Sequence, residues 1–178
     1  QHGKMGEDAW YWLHHYCAGL SYLSRATLAA NQVRRDFLLN EADVNVRGHY
    51  RRLPKSHFMV PDVVVSLAQL EVERGNPKEG LSVLAESFLS HPRATSPYAY
   101  SSIIYRKLGS LDSAIEVLQK GLEALDGQSA ELQYLIGIMY LENRDLDAAS
   151  KHAKIAYELG YPLPGLAERL RREGVPID

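Results

Sequence analysis

Three shortages limit what this sequence can encode. It has one cysteine, Cys17, so no intrachain disulfide can form. Its apolar runs stay below the ~18 residues that a membrane-spanning helix needs, so we expect that it is not an integral membrane protein. The formal net charge is only −2 over 178 residues. Because nucleic-acid-binding proteins usually have a strongly basic face, we expect no nucleic-acid partner.

Catalytic signatures are missing as well. The sequence contains no G-x-x-x-x-G-K-[ST], G-x-G-x-x-G, H-E-x-x-H or G-x-S-x-G motif. Its carboxylates are scattered over positions that face outward on the predicted helices, where solvated charge is the ordinary arrangement. We therefore predict that the protein is not an enzyme, with no catalytic residues and no cofactor.

The charges are unevenly spread along the chain. Residues 1–60 hold eight Lys/Arg and five Asp/Glu, a net +3, whereas residues 61–178 hold twelve and seventeen, a net −5. Either this is chance, or a basic front attracts an acidic back between molecules. The chain starts at Gln1 rather than Met. That start fits a trimmed chain or a tag remnant, and it slightly favours an exported protein that has lost a signal peptide.

A period of about 34 residues organises the middle of the chain. Three segments align on it: 61–94, 95–128 and, after a one-residue offset, 130–163. Each divides into two helical runs about a turn, which reads RGNP, LGSLD or ENRDLD. Small residues recur where paired helices must approach closely, and large apolar residues fill the periodic positions between them. The small residues are Ala68, Gly80, Ser87, Ser102, Ala114, Gly121, Gly137, Ala149 and Ala156.

This pattern resembles the tetratricopeptide repeat. Gly75 and Gly109 lie at turns within repeats, where a helix end favours a positive φ. Tyr105 and Tyr140 match the mid-helix aromatic residue of the repeat, and Pro92 matches the proline that ends its second helix. The resemblance covers about 100 of the 178 residues. It implies an all-α fold, a right-handed α-solenoid of antiparallel helix pairs.

Three positions depart from the repeat pattern. Glu71 replaces the first aromatic residue, Asp126 replaces the second proline, and Arg144 replaces the third turn glycine. These departures weaken single positions and leave the period intact.

The two ends of the chain differ from the repeats. We predict a divergent N-terminal helical hairpin over 1–60, three repeats over 61–162, and a short C-terminal capping helix with a tail over 163–178. The hairpin helices are expected near 7–27 and 31–52, the second with one side formed by Val33, Phe37, Leu38 and Ala42. The hairpin resembles the leading hairpin of some bacterial tetratricopeptide proteins that also carry a His-His-Tyr-Cys run. In the cap, Leu166 and Leu170 are expected to face inward.

The His-His-Tyr-Cys run permits two interpretations. His14 and Cys17 stand at i,i+3 and share a helix face, whereas the adjacent His14 and His15 point about 100° apart. Two ligands fall short of the four that hold a structural zinc, so His49 or His57 would have to add to them. Packing of this helix in the interior explains the run better, because a helix that is apolar on nearly every side is usually buried. Either the N-terminal tail or another molecule would then cover its possible end-face interface, which comprises Trp10, Tyr11, Trp12 and Tyr16.

In the tetratricopeptide fold the first helices of successive repeats line a concave groove. The resemblance assigns this lining to Val65, Gln69, Val72, Ala99, Tyr100, Ile103, Arg106, Tyr134, Ile138 and Leu141. Family members that clamp a terminal carboxylate place Lys, Asn and Arg at such positions, so the apolar lining argues against a clamp. It favours an amphipathic helix or an apolar segment of a partner. Alternatively, the tail of the chain itself fills the groove.

These features predict a non-catalytic scaffold that binds another protein in its concave groove. One alternative is a structural subunit that binds copies of itself, stacking end to end into an oligomer or filament, as heterologous contacts between solenoid ends allow. A weaker alternative is a metal- or haem-associated accessory protein that uses His14, His15 and Cys17. The C-x-x-C-H motif of covalent haem attachment is absent.

Overall fold

The structure, a computed structural model, describes residues 11–177. Over that range the chain forms nine α-helices and no strand, which confirms the predicted all-α class. The helices are α1 (Leu13–Thr27), α2 (Gln32–Tyr50), α3 (Val60–Glu73), α4 (Pro77–Ser90), α5 (Thr95–Lys107), α6 (Leu111–Ala124), α7 (Ala130–Glu142), α8 (Leu146–Glu158) and α9 (Gly165–Arg172). Contacts divide the chain into two compact units, 1–91 and 92–178.

In the first unit, the N-terminal hairpin packs as a repeat does. Helix α1 pairs with α2 and α3 with α4, and α3 also contacts both helices of the hairpin. Gly19 permits the close pairing of α1 and α2, because a Cβ at this residue would lie 2.7 Å from Cγ2 of Val46 and 3.2 Å from the carbonyl oxygen of Ala42. The divergent sequence of the hairpin therefore still supplies the small residue that close helix packing requires.

The second unit repeats this arrangement and then ends in the cap. Helix α5 pairs with α6 and α7 with α8, and α7 contacts both α5 and α6. Helix α9 packs on α7 and α8, as the first helix of a further repeat would. Leu166 and Leu170 are fully buried in a cluster with Leu141, Ala149 and Ala153. The prediction that Leu166 and Leu170 face inward is confirmed.

The small residues at the repeat positions are buried, all nine of them. A Cβ on Gly121 would lie 2.7 Å from both Cγ of Tyr98 and Cδ1 of Leu132. A Cβ on Gly137 would lie 2.6 Å from Cδ2 of Leu166 in the cap. A larger side chain at these positions would push neighbouring helices apart, since protein interiors leave few gaps to absorb it.

The turns within the repeats share one backbone geometry despite different residues. Gly75 and Gly109 have φ values of 86° and 76°, which confirms the predicted left-handed helix ends. Arg144, at the third turn, has a φ of 63°. Its amide donates to the carbonyl of Leu141, as the amide of Gly109 does to Arg106. The helix end therefore adopts the same left-handed conformation with an arginine as with a glycine, at a cost of about 1–2 kcal/mol for a non-glycine residue.

Glu71, which stands where the repeat has an aromatic residue, is the centre of an ion-pair network. Its side chain is buried, and Oε1 lies 3.2 Å from Arg47 on α2 and 3.5 Å from Arg74. Both arginines also contact Asp43 of α2. The departure from the repeat therefore has a structural role: charge, instead of an aromatic ring, joins the hairpin to the first repeat.

Arg35 on α2 adds a second connection between the hairpin and α3. Its guanidinium donates to the carbonyl oxygens of Ala26, at the end of α1, and Glu73, at the end of α3, at 3.3 and 2.8 Å. It also pairs with the carboxylate of Glu73. A cation is favourable at helix C-termini, where carbonyl groups lack intrahelical partners.

The orientation predicted for α2 is wrong in part. Leu38 and Ala42 are buried, as expected, but Val33 is 81% exposed and Phe37 is 50% exposed. The buried side of α2 is formed by Leu38, Leu39, Ala42, Val46 and His49. Because α2 carries apolar residues on two faces, its sequence does not indicate which face packs inward.

We predict that Glu71→Ala lowers the free energy of unfolding by about 2 kcal/mol, because it leaves two arginines without their buried partner. Urea denaturation followed by circular dichroism measures the change. The matched control is Glu116→Ala, which removes an exposed i,i+4 pair with Lys120 and should leave stability nearly unchanged. Equal losses in the two variants would show that the network around Glu71 contributes nothing specific.

Candidate functional site

The predicted groove residues of the first unit lie on α3. Val65, Gln69 and Val72 are all partly exposed, at a spacing that places them along one side of the helix. They therefore form a narrow stripe that is mainly apolar.

In the second unit, five of the seven predicted groove residues reach the surface. Tyr100, Ile103, Tyr134 and Ile138 are partly exposed, and Arg106 is exposed. These residues lie on α5 and α7, which contact each other. They therefore form an aromatic and aliphatic surface with one cation at its end.

The remaining two groove predictions are wrong. Leu141 is 5% exposed, because it packs in the cluster formed with Leu166 and Leu170 of the cap. Ala99 is 7% exposed and belongs to the buried side of α5. Tyr134 and Ile138 also pack at the edge of the cap cluster. The tail of the chain thus covers part of the surface that the resemblance assigns to the third repeat.

Tyrosines position the start of the cap on α7 and α8. The hydroxyl of Tyr157 donates to the carbonyl of Leu163 and accepts from the amide of Ala167, at 3.1 and 3.0 Å. The ring of Tyr134 stacks on Tyr161 with centroids 4.0 Å apart. Burial raises the pKa of Tyr134, so its hydroxyl stays protonated at neutral pH. The cap is therefore held by specific contacts as well as by its apolar face.

A charged edge adjoins this aromatic surface. Arg106 donates to both carboxylate oxygens of Glu142 at 2.6 Å, and Arg169 of α9 lies 3.7 Å from the same group. Arg144 pairs with Glu173 at 3.0 Å. The pairs join residues up to 36 positions apart. Sequence reasoning missed this edge; its one visible signal was Arg144 at a glycine position.

The structure separates the residues of the predicted end-face interface. Tyr16 is 8% exposed, so its assignment to an exposed end face is wrong; its hydroxyl lies 3.1 Å from Oγ of Ser66 on α3. Trp12 lies under the guanidinium of Arg52, 3.6 Å from the ring centroid. Tyr11 is 68% exposed. Trp10 lies outside the described residues.

The structure places the residues of the His-His-Tyr-Cys run on different faces of α1. His14 and Cys17 are exposed in the single chain, so the described residues do not bury α1 on every side. His15 faces α2 and lies 2.8 Å, through Nδ1, from Oδ1 of Asn45. His14 and His15 nevertheless approach closely, with ring centroids 4.1 Å apart. Between residues 11 and 177, no three metal-ligating side chains come together.

Two further histidines, His49 and His57, are buried in the first unit. His49 is fully buried and stacks on the Tyr16 ring, with centroids 5.4 Å apart. Among the described residues, neither of its ring nitrogens has a hydrogen-bond partner. Burial lowers the pKa of His49, and the nearby His57 lowers it further. His49 is therefore neutral in the folded protein at pH 7, which makes it a packing residue that is sensitive to acid.

Comparison with solved structures identifies the fold. TTC0263, a thermophilic tetratricopeptide protein of Thermus thermophilus, matches with a TM-score of 0.57 at 22% identity, covering 91% of this chain and 92% of that one. MamA matches with a TM-score of 0.54 at 15% identity, over 86% and 79% of the two chains. A MamA point mutant matches at 0.52 and 17% identity, over 94% and 91%. No family model and no curated protein matches the sequence.

These similarities confirm the resemblance inferred from the repeats. The chain has the all-α solenoid fold of tetratricopeptide proteins. Identities of this size establish the fold alone. None of the helices in the described part of the chain is both long and apolar enough to cross a membrane.

The buried histidine predicts a specific acid sensitivity. The unfolded chain takes up a proton at His49 near pH 6.5, whereas the folded protein takes it up only at lower pH. The contribution of neutral His49 to the free energy of unfolding is therefore fully present above about pH 6.5. The free energy of unfolding falls as the pH decreases below that value, because only the unfolded state gains the proton. Denaturation at a series of pH values from 8 to 5 measures this slope.

The variant His49→Leu should flatten this slope, because it removes the buried imidazole. Some slope should persist in His49→Leu, because burial also lowers the pKa of His152 in the second unit. A wild-type stability that stays constant down to pH 5 would contradict the assignment.

Proposed function

We propose that this protein is a non-catalytic scaffold that binds another protein through apolar side chains on the first helices of its repeats. The supporting observation is the surface of α5 and α7, where Tyr100, Ile103 and Ile138 are partly exposed. They occupy positions at which the tetratricopeptide fold lines its groove. Aromatic and aliphatic side chains held on two packed helices offer a rigid surface, which limits the entropy lost when a partner binds.

The chemistry of this surface selects the kind of partner. Apolar side chains on α5 and α7 suit the apolar face of an amphipathic helix or an extended apolar segment. The pair of Arg106 and Glu142 closes one end of the surface with charge. A partner segment would therefore place its apolar residues on α5 and α7 and a polar residue beside that pair.

The test is a crosslinking pull-down that compares wild type with Tyr100→Asp/Ile103→Asp, quantified by mass spectrometry. Ile103 is chosen rather than Ile138, because Ile138 also packs against the cap. A partner that uses this surface should be recovered about tenfold less by the variant, since a buried charge opposes apolar contact.

The matched control is Leu163→Asp, which adds one charge at a leucine that is 56% exposed in the loop before α9. It should retain the partners. Thermal melts of all three proteins must coincide, so that a loss of binding is not a loss of folding. Equal recovery of every partner by both variants would show that α5 and α7 are not the binding surface.

Self-association is a second candidate function, supported by the exposed face of α2. Val33, Phe37 and Val44 form one stripe there and are 81%, 50% and 70% exposed. A stripe of large apolar side chains on a helix whose opposite face is already packed is typical of a contact surface between proteins. A second copy of the chain is one partner that it fits.

Light scattering coupled to size-exclusion chromatography, at low and high protein concentration, tests self-association. If copies associate through α2, Phe37→Asp/Val44→Asp should reduce the mass to that of one chain. The control Asn40→Asp adds charge on the same exposed side without removing an apolar group, and it should leave the mass unchanged. A wild-type protein that is monomeric at every concentration would remove this candidate.

A further inference from the structure

An arginine-rich cleft of about 340 Å³ lies where the cap meets the end of α7. Its lining consists of Leu141, Glu142, Arg144, Arg169, Arg172 and Glu173. Three of these six side chains are arginines, and all of the residues belong to the second unit. The lining does not include Tyr100 or Ile103, so substitutions at those two residues leave the arginines of the cleft in place.

Two of the arginines have unused hydrogen-bonding capacity. Arg169 lies 3.7 Å from Glu142, beyond hydrogen-bond distance, and both oxygens of that carboxylate already accept from Arg106. Arg172 has no ion-pair partner among residues 11–177. The two arginines stand at i,i+3 on α9, where like charges repel each other. A carboxylate between them would relieve that repulsion.

The third arginine, Arg144, has a strained backbone conformation. Arg144 has a φ of 63°, at the turn where the preceding repeats have glycine. Its one ion pair, with Glu173, leaves its side chain 75% exposed. Residues with a strained backbone are often found at functional sites. The exposed ion pair with Glu173 contributes too little stability to offset the strain at Arg144.

Helix electrostatics explains only part of this arrangement. Basic residues in the last turn of α9 are favourable because carbonyl groups there carry partial negative charge. Arg171 supplies such a cation without lining the cleft. Arg144 lies directly beyond the C-terminus of α7, where a cation is also favourable, but the dipole of α7 does not require that this cation be the residue with a positive φ.

The geometry points to a carboxylate-binding cleft that receives an acidic segment of a partner protein, whose side-chain carboxylates displace Glu173 from Arg144 and pair with Arg169 and Arg172. The planar guanidinium fork matches a carboxylate through two parallel hydrogen bonds. Glu142 and Glu173 in the lining repel a doubly charged phosphate more strongly than a singly charged carboxylate. The open shape of the cleft suits a peptide.

The probe is acetylated and amidated hexaglutamate, titrated into the full chain by calorimetry at low salt. Arg172→Ala should raise the dissociation constant about three- to tenfold, as expected for the loss of a charge-assisted contact at an open site. Arg171→Ala removes the same charge from the neighbouring residue of the same helix, outside the cleft. It should change the constant much less.

Two further variants separate binding from folding. Arg144→Gly relieves the left-handed strain, so the melting temperature should rise by about 2–4 °C, while the dissociation constant for hexaglutamate should increase. Glu173→Gln removes the internal competitor, so the constant should decrease. A general loss of stability cannot produce opposite effects of this kind.

Three results would overturn the proposal. The first is no binding of hexaglutamate by wild type or Glu173→Gln. The second is equal weakening by Arg171→Ala and Arg172→Ala, which would indicate diffuse attraction. In the third, inorganic phosphate at the same concentration of charge displaces hexaglutamate completely, which would indicate a phosphate site. Tyr100→Asp/Ile103→Asp should still bind hexaglutamate. The proposal for the cleft and the proposal for the apolar surface of α5 and α7 can therefore fail independently.

Discussion

Small side chains determine how closely the helices of this protein pack, and both the apolar surface and the arginine-rich cleft depend on that spacing. A pair of helices of about 14 residues cannot bury its own apolar side, so it must pack against a neighbouring pair. Gly121 makes room for Tyr98 and Leu132, and Gly137 makes room for Leu166. Without that space the cap could not reach α7 and α8. The cleft beside Arg144 would then lack one of its walls.

The same packing divides the surface of the second unit into two kinds of chemistry. Tyr100 and Ile103 on α5 present aromatic and aliphatic groups, whereas the far end of α7 presents arginines and glutamates. Glu142 lies at the boundary, because it pairs with Arg106 on one side and faces Arg169 on the other. One small unit therefore presents an apolar surface and an ionic surface side by side.

The period and turns could be predicted because their signals are local. A glycine at a helix end, such as Gly75, indicates a left-handed residue whatever surrounds it. The orientation of the hairpin helices could not be predicted, because α1 and α2 carry apolar residues on more than one face. Tyr16 was therefore included in an end-face interface although it is buried, and Phe37 was grouped with Leu38 and Ala42 although it is half exposed. The charged edge was missed because Arg106 and Glu142 are distant in sequence.

The buried charge of Glu71 sets the junction between the hairpin and the first repeat apart from an interface made of small apolar residues. An interface made of alanine, glycine and leucine requires only a neighbouring surface of matching shape. A buried carboxylate accepts only a neighbour that brings a cation to the position of Arg47. A different helix pair in place of the hairpin would bury Glu71 without one of its two cations, so this junction discriminates between neighbours by charge as well as by shape.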